Sequence, residues 1–460
     1  MARATTPVIP VSLQGLDNTP VSKKASGSGP HTSLHHERDY RMRQVGAEME
    51  GKFIGPMPVV DFLDTFLPLR STSSLRWTKK RMSKFEEVGK QTSEKQMYKP
   101  IVRNLYLNLL VLMPLIGRST RCNLFVRISN LSIRTIIPIR ILVFPELLKP
   151  DISIYTRGCD RSRPTDFSLM ESHVEVKFDE SDDPFDDESV HSFEHDREAS
   201  KDTKGQITSY AVAQLAGQFR THIFTILVCG GYARILRWDR SGAVVTAAFD
   251  YCNRYLGEFF WRYDRTPPDD RGMELSISKP SDTEVTLARQ YLRCSLQALL
   301  LKFAVYNDMD GKTSYYIGSK PSFKGNASPT GRATRTFIIF DQQTRRVVFL
   351  KDTWRIDLPG VVKEGERYKI LHEAKVPFIA PFLCGGDIFQ HRTRTQDFSS
   401  ERWARPIKNS LRPHQHYRLV LGIVGRDLTS FDSSWEMVGA IRDALQGTLM
   451  NNVGGNHDVT

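Results

Sequence analysis

The sequence predicts an α/β domain followed by an α+β unit, and three observations carry that prediction. Between residues 150 and 247, short runs of β-forming residues surround one long amphipathic helix pattern. Between 313 and 398, β-branched and aromatic runs dominate. A turn-rich stretch, 262–285 (RYDRTPPDDRG and onward), separates the two as a linker. At 460 residues the chain is long enough for two or three domains with cores of their own. Its 40% apolar and 25% charged residues are an ordinary globular balance.

The first 38 residues, rich in Pro, Ser, Thr and Gly (SKKASGSGPHTS), are expected to form a disordered leader. They contain no apolar core of a secretory signal. Residues 39–68 show a helical pattern with VVDFLDTFL as a short amphipathic piece, and they open a domain expected to span 39–261. The basic stretch 70–103, including RWTKKRMSK, is expected to be solvated helix. LYLNLLVLMPLI (Leu105–Ile116) is interrupted by Asn108 and Pro114 and falls short of the roughly 20 residues a bilayer span needs, so no membrane partner is expected. The stretch 117–147 fits neither the helical nor the strand period. Six cysteines (Cys122, Cys159, Cys229, Cys252, Cys294 and Cys384) form no C-x-x-C pair, which points to a reducing compartment, cytoplasm or nucleus.

From Pro150 the pattern sharpens. LKPDISIY and SHVEVKF alternate as two strands, and GQITSYAVAQLAGQF places Ile207, Tyr210, Ala211, Leu215 and Phe219 on one helical face. HIFTILVCG is expected to be a buried strand, and YARILRW and AVVTAAF flank the hairpin turn Asp239-Arg240-Ser241-Gly242. Between Asp179 and Glu198 ten acidic residues and one basic residue give a local charge of −9, so 179–203 is expected to be a solvent-exposed acidic insertion. The whole chain carries +12, and the remainder therefore +21. Such an excess suits a polyanionic partner, a nucleotide or a nucleic acid, as well as a merely solubilising surface.

After the linker a helix is expected over 282–303, then the β-rich unit, and a final helix over 433–446. There Ser433 and Glu436 have capping-box spacing, and Met437, Val438, Ile441 and Leu445 form an apolar stripe. Gly447–Thr460, rich in Gly and Asn, is expected to be a disordered tail.

FIIFDQQTRRVVFLKDTWR reads as two strands joined by a polar turn, the second ending Val-Phe-Leu-Lys. A strand-borne lysine is a compact point charge on a flexible stem, suited to phosphate oxygens. It is like the lysine of the kinase V-A-I-K strand, which needs a helical glutamate to hold it. EGERYKIL comes next and offers Glu364 and Glu366. Glu364 is preferred, because it shares a helical face with Tyr368 and Leu371. HYRLVLGIVGRDL is similar to the central strand running into an adenine-binding hinge. Gly325–Arg332 is a Gly/Ser/Thr loop that matches neither G-x-G-x-x-G nor a Walker A, although its backbone could still approach phosphates near Gly331.

Together these stretches resemble the fungal-type protein kinases of basidiomycetes. GRATRTFIIFD, VFLKDTWRID, EGERYKIL, HYRLVLGIVGRDL and FDSSWEMVGAIRDAL carry the likeness, as do KGQITSYAVAQLAGQFRTHIFTILVCGGYARILRWDRSGAVVTAAFDY and EFFWRYD. It covers roughly residues 35–100 and 148–446. The resemblance implies that 286–446 is a kinase-like N-lobe, hinge and first following helix. It also implies ATP with Mg²⁺ as ligand and phosphotransfer to protein hydroxyls as the family activity, with an unidentified protein as substrate or partner. Lys351 would contact phosphate, Glu364 or Glu366 would fix it, and the Leu421, Gly422, Ile423 and Val424 backbone would meet adenine. The catalytic-loop Asp, the metal-holding Asn and the D-F-G Asp of such enzymes have no counterpart after the hinge. Asp397-Phe398-Ser399 precedes the hinge, and Asn456-His457-Asp458 has no Asn downstream. The C-lobe is therefore expected to be largely absent and the chain catalytically incomplete. The alternative is a non-catalytic regulatory or binding fragment, or a metal-dependent nuclease-like domain.

That alternative rests on Pro150-Asp151 followed by Glu175-Val176-Lys177, the PD…(D/E)-x-K arrangement of restriction-endonuclease-like folds. Carboxylates on adjacent strands suit a hard divalent cation, and alternation puts Glu175 and Lys177 on one strand face. Lys177 could steady the attacking water, and Gln214 on the next helix could complete the site. A structural Glu175–Lys177 salt bridge explains the same residues without chemistry.

Overall fold

The computed structural model describes residues 34–69, 85–111, 124–128, 148–156, 165–324, 328–426 and 430–454. Two mixed or antiparallel sheets with helices packed on them make an α/β protein. In the first sheet, β1 (Phe53–Met57), β2 (Leu124–Ile128), β3 (Ile152–Thr156), β4 (Met170–Lys177), β5 (Ile223–Cys229), β6 (Tyr232–Asp239) and β7 (Gly242–Thr246) lie in the order β1-β7-β6-β5-β4-β3-β2, with the short β8 (Phe249–Asp250) pairing with β6. β4 and β5 run parallel, as do β1 and β7, and the remaining pairs are antiparallel.

Every residue of β5 is buried because both sheet faces are covered. Phe224, Ile226 and Val228 face one layer, built by helices α2 (Val59–Phe66), α3 (Glu94–Val111) and the later α5 (Tyr255–Arg265). Ile223, Leu227 and Cys229 face the other, where α4 (Glu198–Gly217) lays down Ile207, Ala211 and Leu215. Helix α1 (Leu34–Glu48) crosses α4 at Gly46 and Gly205, where a methyl group on Gly205 would lie 2.6 Å from the Met42 carbonyl oxygen.

The second sheet joins β9 (Ile277–Ser278), β10 (Leu301–Tyr306), β11 (Thr313–Gly318), β12 (Phe323–Lys324), β13 (Arg335–Asp341), β14 (Arg346–Ile356), β15 (Phe382–Arg392) and β16 (His414–Leu421) in the order β15-β16-β14-β13-β11-β10-β9, with β12 pairing with β13. Helix α6 (Asp282–Leu292) covers Ile317 and Phe340. Helix α7 (Glu364–Glu373) lies beside β15 and β16, and α8 (Ser434–Gly454) closes the described chain.

Several expectations need correcting. The acidic segment is largely exposed or half-buried, as expected, but it is anchored to the core rather than freely solvated. Phe185 and Phe193 are buried and stacked, and Arg234, 4% exposed, donates to Asp183 at 2.8 Å and Asp187 at 2.6 Å. Two apolar anchors and a buried cation hold a run that composition alone assigns to water. The basic stretch is not purely solvated either, since α3 buries Met97, Tyr98 and Ile101. The linker begins at 266 rather than 262, because α5 runs to Arg265, and its residues pack on the first unit through Thr221 to Gly272 and Glu274 to Phe219 backbone bonds. The helix expected over 282–303 stops at Leu292, where Arg293 turns left-handed (φ 48°), and Leu301–Tyr306 is strand. The segment 39–68 contains β1 as well as helix.

The final helix extends to Gly454, so 447–454 is not tail. Ser433 Oγ accepts from the Glu436 amide at 3.2 Å, but the Glu436 carboxylate reaches Asp432 N instead, so only half the box forms. The stripe residues Val438, Ile441 and Leu445 are exposed. Leader residues 1–33, RWTKKRMSK up to Lys84, most of 117–147, Gly325–Ala327 and tail residues 455–460 lie outside the described residues.

The Asp239–Gly242 turn joins the two units. Asp239 Oδ2 accepts from the amides of Arg394 and Thr395 at 2.8 and 3.1 Å, and the Gly331 amide donates to the Arg240 carbonyl at 2.9 Å. None of the described helices is long and apolar enough to cross a membrane. Cys229, Cys252, Cys294 and Cys384 are free thiols.

Candidate functional site

Two sites assemble from the sequence-predicted residues. The first is on the second sheet. β13 and β14 form the expected hairpin, and Lys351 pairs with Thr336 on one side and Leu419 on the other. Its side chain reaches the first residue of α7, with Nζ 2.8 Å from Glu364 Oε1 and 2.7 Å from Oε2. Gly365 lets the helix come so close. Its amide donates to Tyr417 Oη at 3.0 Å, and a methyl group there would sit 2.6 Å from that oxygen and 2.9 Å from the Phe382 ring. The sequence Glu-Gly-Glu therefore presses α7 onto β15 and β16 and delivers Glu364 to the lysine. Glu366, one residue beyond the glycine, is exposed and turned away, so it is not the partner.

Lys351 and Glu364 are 27% and 33% exposed, so a ligand can reach the pair from solvent. An ion pair that exposed contributes about 0–1 kcal/mol to stability, and positioning is the better account of why the two groups meet. Leu421 ends β16 as a buried residue, Ile423 is exposed, and Val424 half-buried. The Gly422 amide is already committed to the Pro381 carbonyl at 2.8 Å. Gly331 does not serve as a phosphate cradle. Although its φ is +89°, its amide is spent on Arg240, and the neighbouring Thr330 and Ser328 are held by Lys52 and Glu48 of the first unit. Docking between the two units has taken the Gly331 amide and the Ser328 hydroxyl, two of the donors a phosphate could use among the described residues of the loop.

The second site lies where β3, β4, α3 and α4 meet. Asp151 and Glu175 are 3% and 1% exposed. Lys177 Nζ touches Glu175 Oε1 at 2.9 Å and Gln206 Oε1 at 2.8 Å. Asp151 accepts from Tyr98 Oη at 2.6 Å and from the Val176 amide at 2.9 Å, and Tyr98 Oη is also 2.6 Å from Glu94 Oε1. Gln214 is elsewhere. It donates to the Met170 and Glu171 carbonyls at 2.9 and 3.0 Å, a structural role two turns along α4 from the residue that does meet the lysine. Sequence reasoning missed Gln206, Tyr98 and Glu94. Gln206 lies in the same helical stretch as Gln214. Glu94 and Tyr98 are one helical turn apart, but nothing local ties α3 to a motif beginning at residue 150.

Burial first, and the Asp151 charge second, hold the Glu175 carboxyl well above the usual carboxylate range. Burial also raises Asp151, against the Tyr98 and Val176 hydrogen bonds. Burial depresses the Lys177 ammonium, but the Glu175 carboxylate outweighs it and the net shift is upward. Glu175 Oε2 is buried without a hydrogen-bond partner. One Tyr98 hydroxyl proton cannot serve both Glu94 and Asp151. The raised proton affinity of Glu175 and Asp151 marks a place where a divalent cation would stand in for the protons, and oxygen donors suit Mg²⁺. Among the described residues the one set of three ligand atoms within 4.8 Å of one another is that of Glu274, His391 and His416, so the oxygens of Asp151, Glu175 and Glu94 would have to draw together to hold such an ion.

Comparison with known proteins identifies no family: no protein-family model, no curated protein and no solved structure matches the chain.

Proposed function

We propose that this protein is a kinase-like nucleotide-binding protein of the fungal-type protein kinase class, with Lys351 as its contact to the phosphates of ATP. The observation that carries the proposal is the Lys351–Glu364 pair, a strand lysine held by the first glutamate of the following helix. Supporting it, the β16 strand that carries Leu419 beside Lys351 leads directly into Leu421–Val424, where adenine would lie. Mg²⁺ would accompany the nucleotide, and transfer to a protein hydroxyl is the activity of the class. Calorimetric titration with ATP tests the proposal: affinity must fall in Lys351→Met, and equal affinity in wild type and variant removes Lys351 from the site.

A second reading is favoured by the orphaned Glu175 Oε2: Asp151 and Glu175, with Glu94 nearby, hold a divalent cation beside Lys177, and a nucleic acid is the partner. When bound, the ion would supply Lewis acidity and a water of lowered pKa. Lys177, steered by Gln206, would offer its ammonium to a phosphate oxygen. Cleavage of DNA or RNA in Mg²⁺ or Mn²⁺ that vanishes in Glu175→Ala supports it, and cleavage that survives the substitution sinks it.

A further inference from the structure

The segment between the two sheets carries Glu274 into the interior, and there it meets two histidines from the second sheet. His391 is on β15 and His416 on β16. Glu274 Oε2 lies 3.2 Å from His391 Nδ1 and 3.1 Å from His416 Nδ1, and the two Nδ1 atoms are 3.2 Å apart. Three ligand-type atoms thus form a nearly equilateral triangle. A tetrahedral zinc ion with bonds of about 2.0–2.1 Å has ligand-to-ligand edges of about 3.3–3.4 Å. The triangle matches one face of such a tetrahedron to within a few tenths of an ångström.

The surroundings hold two of the three donors in place. His416 Nε2 is 2.6 Å from Asp352 Oδ1, and a proton kept on Nε2 and donated to that carboxylate leaves Nδ1 as the ring nitrogen open to a metal. Trp354 stacks on the same imidazole at 4.7 Å with ring planes 3° apart, preventing it from turning. The other Glu274 oxygen, Oε1, is held by the Ser276 hydroxyl and amide, with Arg418 at 3.8 Å, so Oε2 alone faces the histidines. Glu274 and His416 are 7% and 4% exposed, whereas the His391 side chain is 15% exposed and marks the way in. Two imidazoles with one carboxylate favour a borderline cation such as Zn²⁺ over Mg²⁺ or Ca²⁺.

We infer that Glu274, His391 and His416 form a zinc site, with water as the fourth ligand, that clasps the inter-unit segment to the second sheet. A hydrogen-bonded His–carboxylate cluster that takes no metal is the competing account of the same distances. The full-length protein, stripped with chelator and dialysed, is titrated with ZnCl₂ by calorimetry and separately with CoCl₂ in the visible. One equivalent of Zn²⁺ is expected, with the intense visible bands of four-coordinate Co²⁺. Both are expected to weaken at least tenfold in His391→Ala, whose partly exposed position leaves the fold intact by circular dichroism. Failure of the wild type to take up Zn²⁺ or to develop those bands overturns the inference, as does equal affinity in wild type and His391→Ala. Should the variant not fold, the wild-type cobalt spectrum decides alone.

Discussion

Glu175 and Lys177 stand two residues apart on one face of β4, joined through a single carboxylate oxygen at 2.9 Å, while the other oxygen of Glu175 is buried and bare. A purely structural ion pair in a buried setting would satisfy both oxygens, because an orphaned acceptor costs about 1–3 kcal/mol. The pH dependence of stability therefore reports on this site. Burial raises the folded-state pKa of Glu175, so the folded protein keeps a proton that the unfolded chain releases. That contribution is complete below the ordinary glutamate value and is lost as pH rises through the elevated one. Without metal, the wild type should lose thermal stability relative to Glu175→Gln as pH rises above the ordinary glutamate range, and saturating Mn²⁺ should close the gap. Parallel midpoint-versus-pH curves for the two proteins, unaffected by Mn²⁺, would contradict this.

Arg234 gives a test of the acidic segment. Replacing it with Met leaves Asp183 and Asp187 without their buried cation, and the loss of one partner of such a cluster costs about 3–5 kcal/mol. Urea unfolding of Arg234→Met measures it. A loss under about 1 kcal/mol, the range of an exposed pair, would mean that the segment is held by its phenylalanines alone.

Much of the first sheet was legible because the alternation in β3 and β4 and the Asp239–Gly242 turn are local signals that the core reinforces. Lys351 with Glu364 was legible for the same reason, the two lying on consecutive elements only 13 residues apart. What the sequence hid is tertiary. The ten acids near residue 190 look solvated until Arg234, some fifty residues later, is known to reach Asp183. Gly331 looks available for phosphate until Arg240 occupies its amide. Glu274, His391 and His416 share no spacing that any metal motif would flag, because a connector and two sheet strands bring them together.

Gly365 positions Glu364, and adding a methyl group there tests this without changing any charge. Gly365→Ala drives a carbon against Tyr417 Oη and the Phe382 ring, overpacking that should cost about 1–3 kcal/mol and weaken ATP binding. Gly439→Ala in α8, where nothing lies within 4 Å, is the control and should be neutral or stabilising by about 0.5–1 kcal/mol. Equal thermal midpoints and equal ATP affinities for Gly365→Ala and wild type would show that α7 adjusts freely.

The proposal that Lys351, held in place by Glu364, binds nucleotide comes down to a single calorimetric comparison. ATP in Mg²⁺ is titrated into the wild type, Lys351→Met, Glu364→Gln and Glu366→Gln. Affinity should be lower by on the order of tenfold in the first two variants, as expected for loss or misplacement of a charge-assisted contact, and unchanged in Glu366→Gln, whose side chain faces solvent. Four indistinguishable isotherms, or a loss confined to Glu366→Gln, would show that the pair does not bind nucleotide.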